Sequence, residues 1–236
     1  MAEYFAYDYS GAPFEQLGVA HVSALLVILG IIVLFRRANL PPPERRRIRY
    51  FLATLLVVNE LSWHAWHAYY GLWSVQEMLP LDLCNLLVFT SAFTLATKNQ
   101  TAYEFTYLLG IPAASQVLIT PALGPYGFPH VLFFQIFISH GGVVLAALYL
   151  TMVEHMRPAS WRSVGRVAIW TTFYAIVIFF LNQILGSNYL FLAYKPPAAT
   201  LIDYLGPWPW YILSMEAIGL ALICLLYLPF FKRTAN

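Results

Sequence analysis

Residues 79–86 have the sequence LPLDLCNL, and they open an apolar segment that continues to about Thr97. The length of this segment matches the roughly 20 residues that an α-helix needs to cross a bilayer. Pro80 is tolerated at the first helical position and is interpreted as a start signal. Cys84 then lies about one turn into the helix, where unpaired N–H groups and the helix dipole favour a negative charge. A thiol there can form a nucleophilic thiolate, although a cysteine in an apolar helix is more often a packing residue.

The whole chain has the composition of a membrane protein. Of its 236 residues, 60% are hydrophobic and only 10% are charged, whereas soluble domains carry about 25% charged residues. Gly110, Pro112 and Pro121 allow the fourth apolar segment to be broken or re-entrant. We predict an all-α, polytopic membrane helix bundle that forms a single domain over residues 1–236. Its seven predicted spans lie near 17–35, 50–70, 79–97, 105–123, 130–152, 165–186 and 208–231.

The basic residues predict the orientation of the bundle. All 13 Lys and Arg residues except Lys195 fall after segments 1, 3 and 5 or in the C-terminal tail with Lys232 and Arg233. Cytoplasmic loops are enriched in Lys and Arg, so the N-terminus is predicted to be outside and the C-terminus in the cytoplasm. The arginine run after segment 1 is interpreted as an anchor to anionic lipid.

Several polar side chains fall in one layer of the predicted bundle. At roughly 1.5 Å of rise per residue, His64, His67 and Cys84 lie within about 12 Å of the outer ends of their helices. His140 lies roughly 15 Å deep, near the midplane. Ionisable residues within a bilayer are costly and usually mark a functional cavity, so we predict a polar pocket that opens toward the outer leaflet. The same layer also holds Glu60, Asn182, Gln183 and Glu216.

A metal site is one interpretation of the polar residues on the second helix. Glu60, His64 and His67 follow an i, i+4, i+7 spacing and share one helix face. With Asp82 or His140 they could bind zinc and serve a metal-dependent amidase or esterase. The ordinary explanation is an interfacial cluster, because aromatic residues surround them and are common at membrane helix ends. We predict no bound metal and no cofactor.

Other short motifs predict local structure. His140 lies in the sequence ISHGG at 138–142, where a midplane His followed by two small residues suggests close helix packing and proton transfer. A His that makes only structural hydrogen bonds fits this sequence equally well. His130 is predicted to be interfacial, and the WPWY sequence at 208–211 is predicted to anchor the last helix. Gly186 is predicted to cap the sixth helix.

The order of these motifs resembles the YwaF family of bacterial integral membrane proteins. The motifs are LPLDLC from residue 79, LITP from 118, FPH from 128, SHG from 139, RP from 157, GSNY from 186 and GPWPWY from 206. The resemblance implies a bacterial cytoplasmic membrane protein related to the transmembrane protein 164 group. Members of that group are acyltransferases that act on ether phospholipids through a cysteine and a histidine. A more distant group hydrolyses fatty acid esters with a Thr and a His.

This resemblance implies roles for individual residues. The nucleophile is assigned to Cys84 and the base to His140, in an enzyme whose substrate is a phospholipid or a lysophospholipid. An asparagine amide could stabilise the oxyanion. The family usually has His two residues before the cysteine, whereas this chain has Asp82, and an ionised carboxylate there would disfavour the thiolate. The candidate oxyanion donors are Asn85, Asn182 and Asn188. All residues predicted to support the chemistry or bind substrate are Asp82, Asn85, His64, His67, Glu60, Asn182, Asn188 and Tyr189.

Other functions stay open on the sequence alone. The acyl chain could be transferred to a lysophospholipid or released to water by a thiol- or metal-dependent hydrolase. A non-enzymatic lipid or solute carrier, with intramembrane His and Glu residues that relay protons, is a further alternative. The net charge of +2 gives no indication of nucleic acid binding. No nucleotide-binding loop is found, so a lipid is the expected acyl donor.

Overall fold

The structure, a computed structural model, describes residues 2–196 and 201–231. Every regular element in these ranges is helical, which confirms the all-α prediction. Lys232 and Arg233 of the predicted cytoplasmic tail lie outside the described residues. The helices are α1 (Val19–Arg37), α2 (Pro42–Tyr69), α3 (Leu83–Thr97), α4 (Gln100–Phe105), α5 (Ile111–Ile119), α6 (Val131–Met152), α7 (Trp161–Leu185) and α8 (Trp210–Phe231).

The fourth predicted span is one helical segment with a change of pitch. A π-helical turn at Thr106–Gly110 joins α4 to α5 without a break, so the described chain contains seven helical segments. Pro112 follows this turn directly, and it has no N–H group to donate to the preceding turn of helix. Such π turns occur where the regular hydrogen-bond ladder is disturbed.

The helices have the lengths and composition of membrane spans. Four described helices, α1, α6, α7 and α8, are long and apolar enough to cross a membrane. Helix α2 has 28 residues but carries charged side chains, and α3 is apolar but has only 15 residues. At roughly 1.5 Å per residue α3 is about 22 Å long, which is less than the roughly 30 Å of a hydrocarbon core. The chain is therefore an integral membrane protein in which one helix covers only part of the membrane thickness.

The start of α3 differs from the sequence prediction. Pro80 is not helical: the backbone N–H of Leu81 donates to the carbonyl of Leu79, and α3 begins at Leu83 with Asp82 as its N-cap residue. The Asp82 side chain does not cap α3. Its Oδ1 instead accepts the backbone N–H of Leu190 at 2.9 Å. Cys84 is therefore the second residue of α3 and does not lie one turn in.

Helix α6 is the central helix, and its glycines allow two neighbours to approach closely. A Cβ atom at Gly142 would lie 2.7 Å from Leu56 Cδ2 of α2, and one at Gly141 would lie 2.7 Å from Ile28 Cδ1 of α1. These distances are shorter than a Cβ contact allows, so a larger residue at either position would force the Leu56 or Ile28 side chain to move. The predicted close packing after His140 is confirmed.

The end of the bundle near the basic loops contains two carboxylates that pair with basic side chains, one of them fully buried. Glu154 pairs with Arg49 and Lys98, each at 3.2 Å. Glu104 is fully buried and accepts a 2.7 Å hydrogen bond from Arg166. Basic residues of α2, of the C-terminus of α3 and of α7 therefore meet acidic partners at one end of the bundle. This grouping agrees with the predicted orientation, which stays a prediction.

The connection between α7 and α8 follows the sequence signals. Gly186 ends α7 in the left-handed conformation with φ 65°, as its predicted capping role requires. Helix α8 begins at Trp210, inside the predicted aromatic anchor. The exposed Trp208 donates its indole N–H to the Leu192 carbonyl at 3.0 Å.

Candidate functional site

A cavity of about 520 Å³ brings together most of the residues predicted to be functional. It lies between the C-terminal half of α2, the start of α3, the first half of α6 and the loop at 122–126. Cys84 and His140, the predicted nucleophile and base, both line it. The lining also includes Glu60, His67, Glu77, Asp82, Asn85, Gln135 and Ser139, together with the aromatic residues Tyr7, Trp63, Trp66 and Tyr126.

A hydrogen bond between α2 and α3 fixes the depth of Cys84. Asn85 Nδ2 donates to Glu60 Oε1, so the first turn of α3 lies beside Glu60. Glu60 is roughly 13 Å from the C-terminal end of α2, at about 1.5 Å per residue. Because α3 starts beside Glu60, it begins well below the C-terminal end of α2 and not level with it. Cys84 therefore lies deeper than its position at a helix start suggests.

The packing of α6 on α2 places His140 at nearly the same depth. Gly142 of α6 faces Leu56 of α2, which is one helical turn from Glu60. His140 lies about 3 Å along α6 from Gly142, toward the same end of the bundle as Glu60. The thiol of Cys84 and the imidazole of His140 therefore face one cavity at similar depth, although they lie at different distances from the ends of their own helices.

Hydrogen bonds define which ring nitrogen of His140 carries the proton. Nδ1 lies 2.9 Å from the Ile136 carbonyl oxygen, which can only accept, so Nδ1 is protonated in the neutral ring. The Ser139 hydroxyl donates to the same carbonyl at 3.2 Å and lies 2.9 Å from Nδ1. Nε2 has no hydrogen-bond partner in the part of the chain that the structure describes. Its lone pair is available to accept a proton.

The surroundings of the Cys84 thiol contain opposing electrostatic influences. The carboxyl groups of Asp82 and Glu60 lie close enough to act on the thiol and would disfavour its negative form when ionised. No Lys or Arg occurs among the described residues that line the cavity. The favourable influence is the start of α3, whose first N–H groups are not capped by Asp82. A proton acceptor is therefore needed to form the nucleophile.

Three predicted supporting residues lie outside the cavity lining and hold the loop after α7. Asn182 is buried, donates to the Tyr189 carbonyl at 2.9 Å and accepts from Ser187 and from the Tyr189 N–H. The side-chain oxygen of Asn188, Oδ1, accepts hydrogen bonds from two backbone N–H groups of the same loop. The Tyr189 hydroxyl donates to the Val75 carbonyl at 2.8 Å. Of the three asparagines considered as oxyanion donors, only Asn85 lines the cavity.

The two histidines of α2 have different surroundings. His64 accepts the indole N–H of Trp73 at 3.2 Å, and its Nε2 lies 3.7 Å from Glu60 Oε1. His67 lines the cavity and has its Nδ1 2.9 Å from the Trp63 carbonyl, so Nδ1 is the protonated nitrogen. Within residues 2–196 and 201–231, no group of three or more His, Cys, Asp or Glu side chains is placed to hold a metal ion. Glu216 hydrogen-bonds Thr172 of α7 and does not line the cavity.

Sequence reasoning missed the segment that covers the aromatic side of the cavity. The carbonyl of Phe5 accepts hydrogen bonds from Trp66 and Tyr70, at 2.9 and 2.7 Å. His130 is fully buried beneath this segment, with Nε2 3.0 Å from the Ala6 carbonyl. His130, predicted to be interfacial, is the N-cap residue of α6 at the end of that helix, and the N-terminal residues fold over it. No local motif indicates a contact between such distant parts of the chain.

Comparison with known proteins gives a family match. A family model described as the TMEM164 family matches residues 16–227. The matched region includes every described cavity-lining residue except Tyr7. No curated protein matches the chain, and no solved structure matches it.

Proposed function

We propose that this chain, which belongs to the TMEM164 family, is a membrane-embedded enzyme that moves lipid acyl chains through a thioester on Cys84. The observation that carries the proposal is the shared cavity of Cys84 and His140, with the lone pair of His140 Nε2 unoccupied. A nucleophile and a base that face one space are the minimum requirement for covalent acyl transfer. The family resemblance of the motifs around both residues supports the same assignment.

The first half-reaction forms the acyl-enzyme. The Cys84 thiol gives its proton to His140 Nε2, and Sγ attacks the carbonyl carbon of a lipid ester. When the ester C–O bond breaks, His140 gives that proton to the oxygen of the leaving alcohol. The lysolipid then departs, and the acyl chain remains on Sγ as a thioester.

The second half-reaction returns the enzyme to its starting state. The hydroxyl group of an acceptor gives its proton to His140 Nε2, and its oxygen attacks the thioester carbon. The C–S bond breaks, and Sγ takes the proton back from His140. A lysophospholipid as acceptor gives acyl transfer, and water gives hydrolysis.

The start of α3 supplies stabilisation for the oxyanion that forms in both steps. The N–H groups of the first helical turn have no intrahelical acceptors, and Asp82 does not cap them. These groups and the helix dipole favour negative charge beside Cys84. The negative charge that they stabilise develops on the substrate oxygen during attack.

A membrane lipid is the substrate that suits this cavity best. The lining combines aromatic and apolar side chains with a few polar groups, and the cavity lies between helices of an integral membrane protein. With the orientation predicted from the basic loops, the cavity opens toward the outer side of a bacterial cytoplasmic membrane. The proposed partners are therefore phospholipids and lysophospholipids of that membrane.

A labelling experiment tests the proposal. The purified protein is incubated with micelles of a phospholipid that carries a radiolabelled acyl chain, and the protein is then separated under denaturing conditions. We expect label on Cys84 that neutral hydroxylamine removes, as a thioester requires. Cys84→Ala should lose the label, whereas Cys224→Ala should keep it, because Cys224 of α8 packs against the core and does not line the cavity. Full acyl transfer by Cys84→Ala would overturn the thioester mechanism.

His140 is tested by the same assay. His140→Gln should acylate Cys84 at least about 100-fold more slowly, because general base catalysis contributes roughly 10²–10⁴ in rate. In an assay of acyl transfer to a lysolipid, the Cys84→Ala, His140→Gln double variant should be no slower than Cys84→Ala, since the two residues act as one unit. Unchanged acylation in His140→Gln would exclude His140 as the base.

A further inference from the structure

We infer that Glu60 is a positioning residue that holds the amide of Asn85 so that one N–H points at the substrate oxyanion. This inference rests on the proposed function and adds to it a side-chain oxyanion donor and the group that orients it. It is motivated by a buried carboxylate that the two-residue mechanism does not use. Glu60 is only 1% exposed, and it accepts a hydrogen bond from the residue that follows Cys84.

Hydrogen-bond chemistry defines the direction of the Asn85 amide. When Glu60 is ionised its oxygens can only accept, so the NH₂ group of Asn85, and not its carbonyl oxygen, faces Glu60. This settles an orientation that side-chain shape alone leaves ambiguous. The NH₂ group has two hydrogens, and Glu60 takes one of them. The second N–H has no acceptor among the described residues, and Asn85 lines the cavity beside the nucleophile.

The ring of His64 lies beside the carboxylate of Glu60. Trp73 donates its indole N–H to His64 Nδ1 at 3.2 Å, and an indole can only donate. The neutral His64 ring therefore carries its proton on Nε2, which lies 3.7 Å from Glu60 Oε1. Glu60 Oε1 therefore accepts a hydrogen bond from Asn85 and has the His64 ring beside it, at a distance longer than a hydrogen bond. The hydrogen bond to Glu60 is the contact that fixes the amide of Asn85.

Positioning explains Glu60 better than activation of the thiol does. A carboxylate buried in a membrane protein is costly, and by default it marks a functional role. An ionised Glu60 would oppose formation of the Cys84 thiolate, because both would carry negative charge. Its contribution must therefore lie in another part of the reaction. Orientation of an oxyanion donor is a contribution that a negative charge beside Asn85 can make.

Two reactions of Cys84 separate these roles. Turnover of p-nitrophenyl decanoate requires an oxyanion donor, whereas alkylation by iodoacetamide displaces iodide at carbon and forms no oxyanion. Both are measured in a Cys224→Ala background, so that alkylation reports on Cys84 alone. Asn85→Ala should reduce ester turnover by roughly 10²–10³, the usual effect of removing one oxyanion donor. Its alkylation rate should stay within about threefold of the parent, since only the oxyanion donor is removed.

Variants of Glu60 complete the experiment. Glu60→Met removes the acceptor of the Asn85 N–H and should reduce ester turnover at least about tenfold. The rate of alkylation should not fall, because a charge that opposes the Cys84 thiolate is removed. Glu60→Gln keeps an acceptor oxygen for Asn85 and should retain most of the turnover. The double variant Glu60→Met, Asn85→Ala should be no slower than Asn85→Ala, because Glu60 acts only through the amide. Melting temperatures identify any variant that loses its fold, and Glu60→Gln and Asn85→Ala then carry the test.

The outcomes distinguish this inference from the proposed function. If the Glu60 and Asn85 losses multiply, or if Glu60→Met slows alkylation as much as turnover, Glu60 does not act by positioning Asn85. Normal ester turnover in Asn85→Ala also overturns the inference but leaves the thioester mechanism intact. If the parent protein forms no acyl group on Cys84, the proposed function fails, and the positioning role falls with it.

Discussion

The substitution Gly142→Ala tests the helix contact on which the depth of the site depends. Gly142 of α6 faces Leu56 of α2, and an alanine Cβ would lie 2.7 Å from Leu56 Cδ2 and 3.4 Å from its Cγ. Ordinary contacts are 3.4–4 Å, so the leucine side chain or the helix must move. Leu56 is 1% exposed, which leaves little space for movement.

The size of the effect follows from two opposing contributions. Overpacking in a close-packed core costs about 1–3 kcal/mol. Replacing glycine by alanine within a helix returns roughly 0.5–1 kcal/mol through helix propensity. The expected net loss is therefore about 0–2.5 kcal/mol, centred near 1 kcal/mol. For a chain of this size, 1 kcal/mol corresponds to a melting temperature lower by about 2–4 °C.

The assay is thermal unfolding of the purified protein in detergent, followed by circular dichroism. Gly165→Ala in α7 is a matched control, because a Cβ there meets nothing within 4 Å. This control should melt at the same temperature as the parent or slightly higher. In the Gly142→Ala background, Leu56→Ala should cost less than it does alone, with a coupling energy of roughly 0.5–3 kcal/mol. If Gly142→Ala is as stabilising as Gly165→Ala and shows no coupling to Leu56, the close contact is wrong. The matching depth of Cys84 and His140 then loses its support.

Three further predictions follow from the ion clusters and the topology. Glu104→Leu removes a fully buried carboxylate that accepts hydrogen bonds from the Ser163 hydroxyl and the Ala159 N–H. Thermal unfolding should show a loss of about 1–3 kcal/mol, because these donors lose their acceptor. An unchanged melting temperature would contradict this. A cysteine introduced at Pro42 should react with an impermeant maleimide only from the cytoplasmic side, and a cysteine introduced at Tyr126 only from outside. The reverse pattern would show that the predicted orientation is inverted. Mass spectrometry of metals in the purified protein should find no stoichiometric metal. Finding about one metal per chain, lost in the His64→Ala, His67→Ala double variant, would favour the metal-dependent alternative.

The boundaries of α1, α6, α7 and α8 could be predicted from the sequence to within about four residues because their signals are local, whereas α2 begins at Pro42 and not near the predicted residue 50. The prediction of 130–152 corresponds to α6 at Val131–Met152, where an apolar run follows a His that caps the helix. The start of α3 could not be predicted in the same way. Asp82 has the side chain of an N-cap, but it binds the N–H of Leu190, a residue distant in the sequence. A window of neighbouring residues cannot contain that competing partner.

The candidate site shows the same limit at the level of side chains. The sequence motifs around Cys84 and His140 predicted two residues that the structure places in one cavity. The GSNY motif predicted Asn188 as a supporting residue, but its side chain binds the backbone of its own loop. A motif identifies residues but does not give the direction in which each side chain points. Glu77 and Tyr7 line the cavity without belonging to any motif, so only the packing of the chain reveals them.

The depth of the thiol connects the short α3 helix to the proposed chemistry. Because α3 begins beside Glu60, about 13 Å from the end of α2, a lipid ester must leave the membrane interface to reach Cys84. An ester carbonyl would lose hydrogen bonds to water along that path, which is unfavourable in an apolar environment. Polar side chains such as Glu77 and His67 line the cavity and can replace part of that hydration. The loop that precedes α3 is held by Tyr189 and by the carboxylate of Asp82. Asp82 therefore has two roles, because it holds the loop that precedes α3 and also lines the polar cavity that contains Cys84.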